Sequence, residues 1–202
     1  MRERRSRTTK EWAVGMVAKR SARKGGAEES LLTVTRPELL DDGSDDRFRA
    51  LVHASLAFSS RLNAIRDGYA RLIGVAGPQY TILISIGHLQ KSGDVNVKTI
   101  ADHLSLSGTF VTTEVNKLVA QGLVKKTRDK VDARKVKLEI SDAGRDRLAR
   151  LTSIQQQVNN VHFGSLSREQ FGAIGTIMPE LVASTDQARS LLRHLTMAEG
   201  EI

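Results

Sequence analysis

The sequence contains no cysteine. That excludes a disulfide framework, a cysteine-ligated zinc site, an iron–sulfur cluster and a thiol-based redox sensor. Proline is scarce, at three residues, and aromatic residues make up 4%, a composition that favours helices over a β-sandwich. No stretch reaches the roughly 18 consecutive apolar residues of a membrane helix. Arg4-Arg5 is not followed by the apolar run of an export signal, which predicts a cytoplasmic location and no membrane partner. Motifs that carry chemistry are also missing. The chain has no Gly-rich phosphate loop, no Gly-x-Ser-x-Gly elbow, no His-Glu pair at helical metal-ligand spacing and no His-x-x-x-His pair. His53, His88 and His103 fall on separate predicted elements without a triad partner. The expectation is a protein that is not an enzyme, with no catalytic residue, no metal ligands and no cofactor.

What the chain does have is an ordinary globular balance, 40% hydrophobic and 27% charged over 202 residues, enough for one domain with extensions. Its net charge is +8, and a basic balance suits a polyanionic partner, because phosphate neutralisation supplies most non-specific nucleic-acid affinity. The charge is unevenly placed. Residues 1–24 hold nine Lys/Arg against two Asp/Glu, for +7. Residues 25–46 hold one Arg against seven Asp/Glu, for −6, and residues 47–202 hold 21 against 14, for +7. The first 45 residues therefore read as a flexible basic/acidic extension, weakly helical at most around Glu11–Arg20.

From Arg47 the periodicity is helical. Phe48, Leu51, Val52, Ser55, Phe58, Leu62, Ile65, Tyr69 and Leu72 recur at three- and four-residue steps. Gly74 and Gly77-Pro78 end that helix and open the next, since Pro suits a first helical position. Tyr80, Leu83, Ile84 and Leu89 then form a second apolar stripe. Val95-Asn96-Val97 is a short strand candidate. Lys98–Leu104 reads as a short helix, Ser105-Leu106-Ser107 as a turn, and Ser107 as the cap of a helix ending at Gly122. Strands are expected at Leu123–Arg128 and Arg134–Ile140, the second from its alternation. Ser141 caps a long helix from Asp142 to about Val161. Ser167 and Gln170 form a capping box for a last helix to about Leu195, kinked at Pro179.

The centre of this order is helix, turn, helix, hairpin. On the second helix of the pair, Val111, Val115, Leu118 and Val119 share an inward face. Thr109, Thr112, Thr113, Asn116 and Lys117 share the other. That outward face is short and polar, and suits base edges: Thr bonds either base type and offers a methyl to thymine, Asn pairs with adenine, and Lys117 suits phosphate. With Ser107 at its cap, it is a candidate DNA-reading surface. The hairpin adds Arg128, Lys130, Arg134 and Lys135, suited to the negative potential of a narrow minor groove, with Asp132 placed to orient Arg134.

The stretch from Gly77 to Gly144 resembles the multiple-antibiotic-resistance regulator (MarR) family. The resemblance is carried by the opening Gly77-Pro78-Gln79-Tyr80 and by the pair Ile100-Ala101-Asp102-His103-Leu104 and Leu118-Val119-Ala120-Gln121-Gly122-Leu123-Val124. The wing Asp129-Lys130-Val131-Asp132-Ala133-Arg134 resembles the family's Asp-Pro-x-Asp-x-Arg, with Lys130 in place of proline. The close Leu138-Glu139-Ile140-Ser141-Asp142-Ala143-Gly144 keeps a capping hydroxyl. The resemblance implies a mainly α fold with a small β wing, residues 46–202 forming a MarR-like domain. Its winged helix-turn-helix would lie at about 76–141, with dimerisation helices at about 47–73 and 142–196. It further implies a homodimeric repressor on double-stranded DNA with a pseudo-palindromic operator, released by a small aromatic or phenolic effector. The apolar stripe of the last helix supports a dimer independently. Candidate effector contacts are Arg61 or His88 for an anionic head, with Phe58, Ile65, Tyr80 and Ile84 as walls. The alternative is an effector-independent DNA-binding or architectural protein.

Overall fold

The structure is a computed structural model that describes residues 31–128 and 136–199. The chain divides into two compact units, one ending at Ser59 and one beginning at Ser60. A single helix, α1 (Asp46–Leu72), runs from one into the other.

In the first unit, residues 31–45, the described part of the expected extension, hold local turns. A 3-10 turn spans Pro37–Leu39. Asp41 and Ser44 then exchange two backbone hydrogen bonds of 2.9 Å each. The residues between them, Asp42 and Gly43, have φ of 50° and 81°, the two left-handed positions of an Asp-Gly hairpin turn. The expected helical character around Glu11–Arg20 lies outside the described residues.

The second unit holds α2 (Gly77–Leu89), α3 (Val97–Leu104), α4 (Gly108–Ala120), β1 (Val124–Arg128), β2 (Val136–Ile140), α5 (Asp142–Ala149), α6 (Thr152–His162) and α7 (Arg168–Glu199). Among the described residues it is mainly helical with one two-stranded antiparallel sheet, the expected winged helix-turn-helix. Helix α2 lies at its centre. Tyr80, Ile82, Leu83 and Ile86 are all buried, whereas Ile84 and Leu89 are only partly so. A helix surrounded on most sides is apolar around most of its circumference, so the sequence stripe there found Tyr80 and Leu83 and missed Ile82 and Ile86. Val95, Ile100, Val111, Val115, Leu118, Leu123 and Leu138 complete this core.

Three local expectations change. Residues 95–97 form no strand of their own: Asn96 caps α3 by accepting from the Thr99 N–H at 3.0 Å. Val95 still joins the wing through one bond, its carbonyl accepting from Leu138 N at 2.7 Å. The long helix expected from Asp142 is interrupted at Arg150–Leu151, where Leu151 N bonds the carbonyl of Leu148 at 3.0 Å. That is a tightened i→i−3 turn at a buried leucine. Helix α7 continues through Pro179 to Glu199, while the capping box at its start forms as expected, with both Ser167–Gln170 bonds present.

Candidate nucleic-acid interface

The geometry of α4 follows from its ends. Ser107 accepts from the Phe110 N–H at 3.2 Å, satisfying one of the donors that a helix start leaves unpaired. The preceding turn needs Ser105 in the left-handed region, at φ 55°. At the far end Gly122, with φ 72°, turns the chain into β1. Val111, Val115 and Leu118 are fully buried, and Thr109, Thr112, Thr113, Asn116 and Lys117 are exposed. All of the polar residues picked out on this helix thus lie on its solvent side.

Hydrogen bonding narrows what that face can do. The Thr112 hydroxyl donates to the Gly108 carbonyl at 2.8 Å, and the Thr113 hydroxyl to the Thr109 carbonyl at 3.0 Å. Each hydroxyl proton is committed to the preceding turn, leaving lone pairs and a methyl facing outward. Ser107 accepts from the backbone and keeps its own O–H as a donor.

Two residues that sequence reasoning passed over set the pose of α4. Glu114 lies on α4 and is buried. It accepts from Gln79 Nε2 at 3.0 Å and from Lys117 Nζ at 2.7 Å. The Lys117 hydrogen bond is the main influence holding the Glu114 carboxyl below its usual range, with that of Gln79 adding to it and burial opposing. Gln79 Oε1 in turn accepts from the Ala76 N–H at 3.0 Å. One amide therefore caps α2 and fixes the buried carboxylate of α4. The signal was present in the sequence, as Gln79 at the third position after Ala76, but not its second partner. Lys117 is half-exposed and ion-paired, so it has a structural role beside the phosphate role expected of it.

The wing pairs Val124 with Ile140, Lys126 with Leu138 and Arg128 with Val136. Strand alternation puts these six on one face, and Val124, Leu138 and Ile140 seal it onto the core. Lys126 and Arg128 extend the same face outward and are exposed. The ammonium of Lys126 donates to Asn116 Oδ1, joining wing to helix beside the polar face. Lys126 was not among the predicted site residues, because the sequence does not tell which strand face adjoins α4. Lys130, Asp132, Arg134 and Lys135, the rest of the predicted wing cluster, lie outside the described residues.

The six candidate effector contacts have different surroundings. Tyr80 is core, its hydroxyl accepting from Gln155 Nε2 at 3.0 Å, and burial raises its pKa. Ile65 and Ile84 pack partly against that core. Arg61 and His88 are exposed, the His88 ring lying 6.1 Å from that of His103, and Phe58 belongs to the first unit. A different cation lies among them in sequence. Arg66 reaches Thr81 Oγ1 and, at 3.3 Å, Asn63 Oδ1, while its Nε is buried without a partner. Two surface cavities, of about 330 and 520 Å³, have other linings. The larger sits between the turn at Ser105–Ser107 and Arg189 and Arg193 of α7, where Arg189 donates to the Ser105 hydroxyl.

Among the described residues no group of His, Cys, Asp or Glu is arranged to hold a metal ion, and no single helix is long and apolar enough to cross a membrane.

No curated protein matches the sequence. Solved structures do match the fold. A MarR/EmrR family transcriptional regulator from Acinetobacter sp. ADP1 aligns with a TM-score of 0.57 at 18% identity, over 71% of this chain and 99% of its own. A MarR protein from Peptoclostridium difficile aligns at 0.56 and 17%, over 74% and 94%. A cysteine-to-serine mutant of MarR from E. coli, complexed with operator DNA, aligns at 0.55 and 14%, over 67% and 96%. The family model described as "MarR family" matches residues 73–135. That stretch contains both helices of the helix-turn-helix and the first wing strand, and it is the part of this chain that is similar to the MarR family.

Proposed function

We propose that the protein is a sequence-specific DNA-binding transcriptional regulator that works as a homodimer. The observation that carries the reading is the outward face of α4, exposed at Thr109, Thr112, Thr113, Asn116 and Lys117 and flanked by Lys126 and Arg128 of the wing. In the major groove such a face reads bases through Asn116 and through threonine lone pairs and methyls. Lys126, Ser107 and Arg128 supply backbone contacts that set register. The wing residues Lys130, Asp132, Arg134 and Lys135 extend the contact toward the minor groove. The structure of an E. coli MarR mutant with operator DNA supports this use of the fold.

The dimer reading rests on α7. Phe171, Ile174, Ile177, Met178, Leu181, Val182, Leu191, Leu192 and Leu195 are between 41% and 64% exposed in the single chain. A stripe that long marks an interface. Two-fold pairing would place two copies of α4 about 34–36 Å apart, in successive major grooves of a pseudo-palindrome.

Repression relieved by a small aromatic or phenolic acid is the regulatory part of the proposal. Arg66 suits the anionic head better than Arg61 or His88, because its neighbours Asn63 and Thr81 are neutral and its Nε lacks a partner. In gel-shift titrations, aromatic acids should weaken DNA binding by the wild type and lose that effect in Arg66→Gln. If no such acid changes DNA affinity, the effector part falls and an effector-independent regulator stands.

The reading face is tested by two substitutions. Asn116→Ala should weaken binding to a selected operator by about 1–3 kcal/mol while leaving random duplex binding nearly unchanged. Lys126→Ala should weaken both alike and lower the salt slope by about one unit. Equal losses on both DNAs for Asn116→Ala would remove it from base reading.

A further inference from the structure

We propose that α4 recognises its operator chiefly through thymine methyl groups, and that Phe110, a residue outside the predicted polar face, is one of the side chains that read them. This rests on the DNA-binding reading above and names the base feature that the face selects.

Hydrogen bonds within the protein already occupy much of what the polar side chains of α4 could offer a base edge. The hydroxyl protons of Thr112 and Thr113 are committed to the carbonyls of Gly108 and Thr109, at 2.8 and 3.0 Å. Asn116 Oδ1 accepts from the Lys126 ammonium. A bidentate grip on adenine needs both amide atoms and would have to share that oxygen. Lys117 is ion-paired to Glu114 at 2.7 Å. What Thr112 and Thr113 still turn outward is a methyl each.

Phe110 extends that apolar surface. Its side chain is 40% exposed, on a helix whose Val111, Val115 and Leu118 are fully buried. At 3.6 residues per turn Phe110 lies about 60° around the helix from Thr113, and residues three apart are neighbours on a helix surface. The ring therefore borders the threonine methyls rather than the core. Phe110 is also the third residue of α4, and its N–H donates to Ser107 Oγ at 3.2 Å, which fixes the backbone there. Recognition helices set their N-terminal residues against base edges, and long helical side chains lean toward that same end. A lone exposed phenylalanine is ordinary on a protein surface. Here the ring stands at the base-reading end, beside two outward methyls, with the exposed cations Lys126 and Arg128 on the adjoining wing for phosphate. Thymine is the base that shows a methyl in the major groove, and the groups that suit it are a threonine methyl and an apolar side chain such as phenylalanine.

The test starts from an operator selected by the full chain on random duplex DNA. Each thymine of that operator is then replaced in turn by uracil, which pairs alike and lacks only the C5 methyl. Wild-type affinity should fall about three- to fivefold at two or more thymines of each half-site, the value of one buried carbon group. Phe110→Ala should bind the thymine operator more weakly. It should lose nothing further from uracil at one of those thymines, while keeping the loss at the others. Phe110→Leu, still apolar, should regain part of the discrimination. Circular dichroism of both variants should match the wild type, because the ring is on the surface. Uracil without effect at every position overturns methyl reading and leaves sequence-specific binding standing. A Phe110→Ala loss that is the same on thymine and uracil at every position, or unfolding of both variants, overturns the role given to Phe110. A full chain that selects no sequence overturns this inference together with the reading beneath it.

Discussion

Leu181→Glu in the full chain should convert a dimer into a monomer and weaken operator binding about 100-fold or more. Leu181 stands mid-stripe on α7, 52% exposed in the isolated chain. In the proposed dimer it meets the partner's apolar surface. Central interface residues of this kind contribute about 2 kcal/mol or more, and two-fold symmetry makes the change act twice. Glutamate is a good helix former, so α7 itself should persist and circular dichroism should not change. The DNA effect is larger than the loss of contacts alone. A dimer engages its second half-site intramolecularly, an advantage of roughly 10² to 10⁴ that a monomer lacks. Light scattering and gel shifts read the two effects separately. An unchanged mass would show that the exposed stripe of α7 is not the dimer interface.

Leu118→Ala carries the second large effect, on the folded head itself. Leu118 is 0% exposed on the inner face of α4, beside the equally buried Val111 and Val115. Truncating a fully buried leucine costs about 2–5 kcal/mol, because the cavity closes only partly. For a domain of this size that is a fall in Tm of about 4–20 °C. The loss falls on the helix that carries the proposed reading face, so operator affinity should fall with it well below the melting temperature. A cost under about 1 kcal/mol would mean that α4 is not seated as described.

The two residues show why parts of the molecule were legible in the sequence and others were not. The inner face of α4 was readable because Val111, Val115 and Leu118 repeat at helical spacing with polar residues between. The caps at Ser107, Ser141 and Ser167 were readable because a hydroxyl before an apolar run has one common use. Helix α2 was half-readable, since burial on most sides erases the period that would have marked Ile82 and Ile86. The Gln79–Glu114 bond spans 35 positions, and no local pattern announces a buried carboxylate that is satisfied from another helix. Lys126 was missed for the same reason: its strand is legible, but its pairing with Asn116 depends on how the wing meets α4. The Asp42-Gly43 turn was present as a hairpin signal and was obscured by the acidic run around it. The effector contacts fared differently. Their choice rested on resemblance rather than on pattern, and the structure places Tyr80 in the core.

The account stands on the claim that α4 reads base sequence as one of a symmetric pair. Selection of the full chain on a library of random duplex DNA tests it most directly. The predicted result is enrichment of a pseudo-palindrome whose half-site centres lie about one helical turn, 10–10.5 bp, or a multiple of it, apart. Binding that enriches no sequence, or enriches an unrepeated single site, would contradict it.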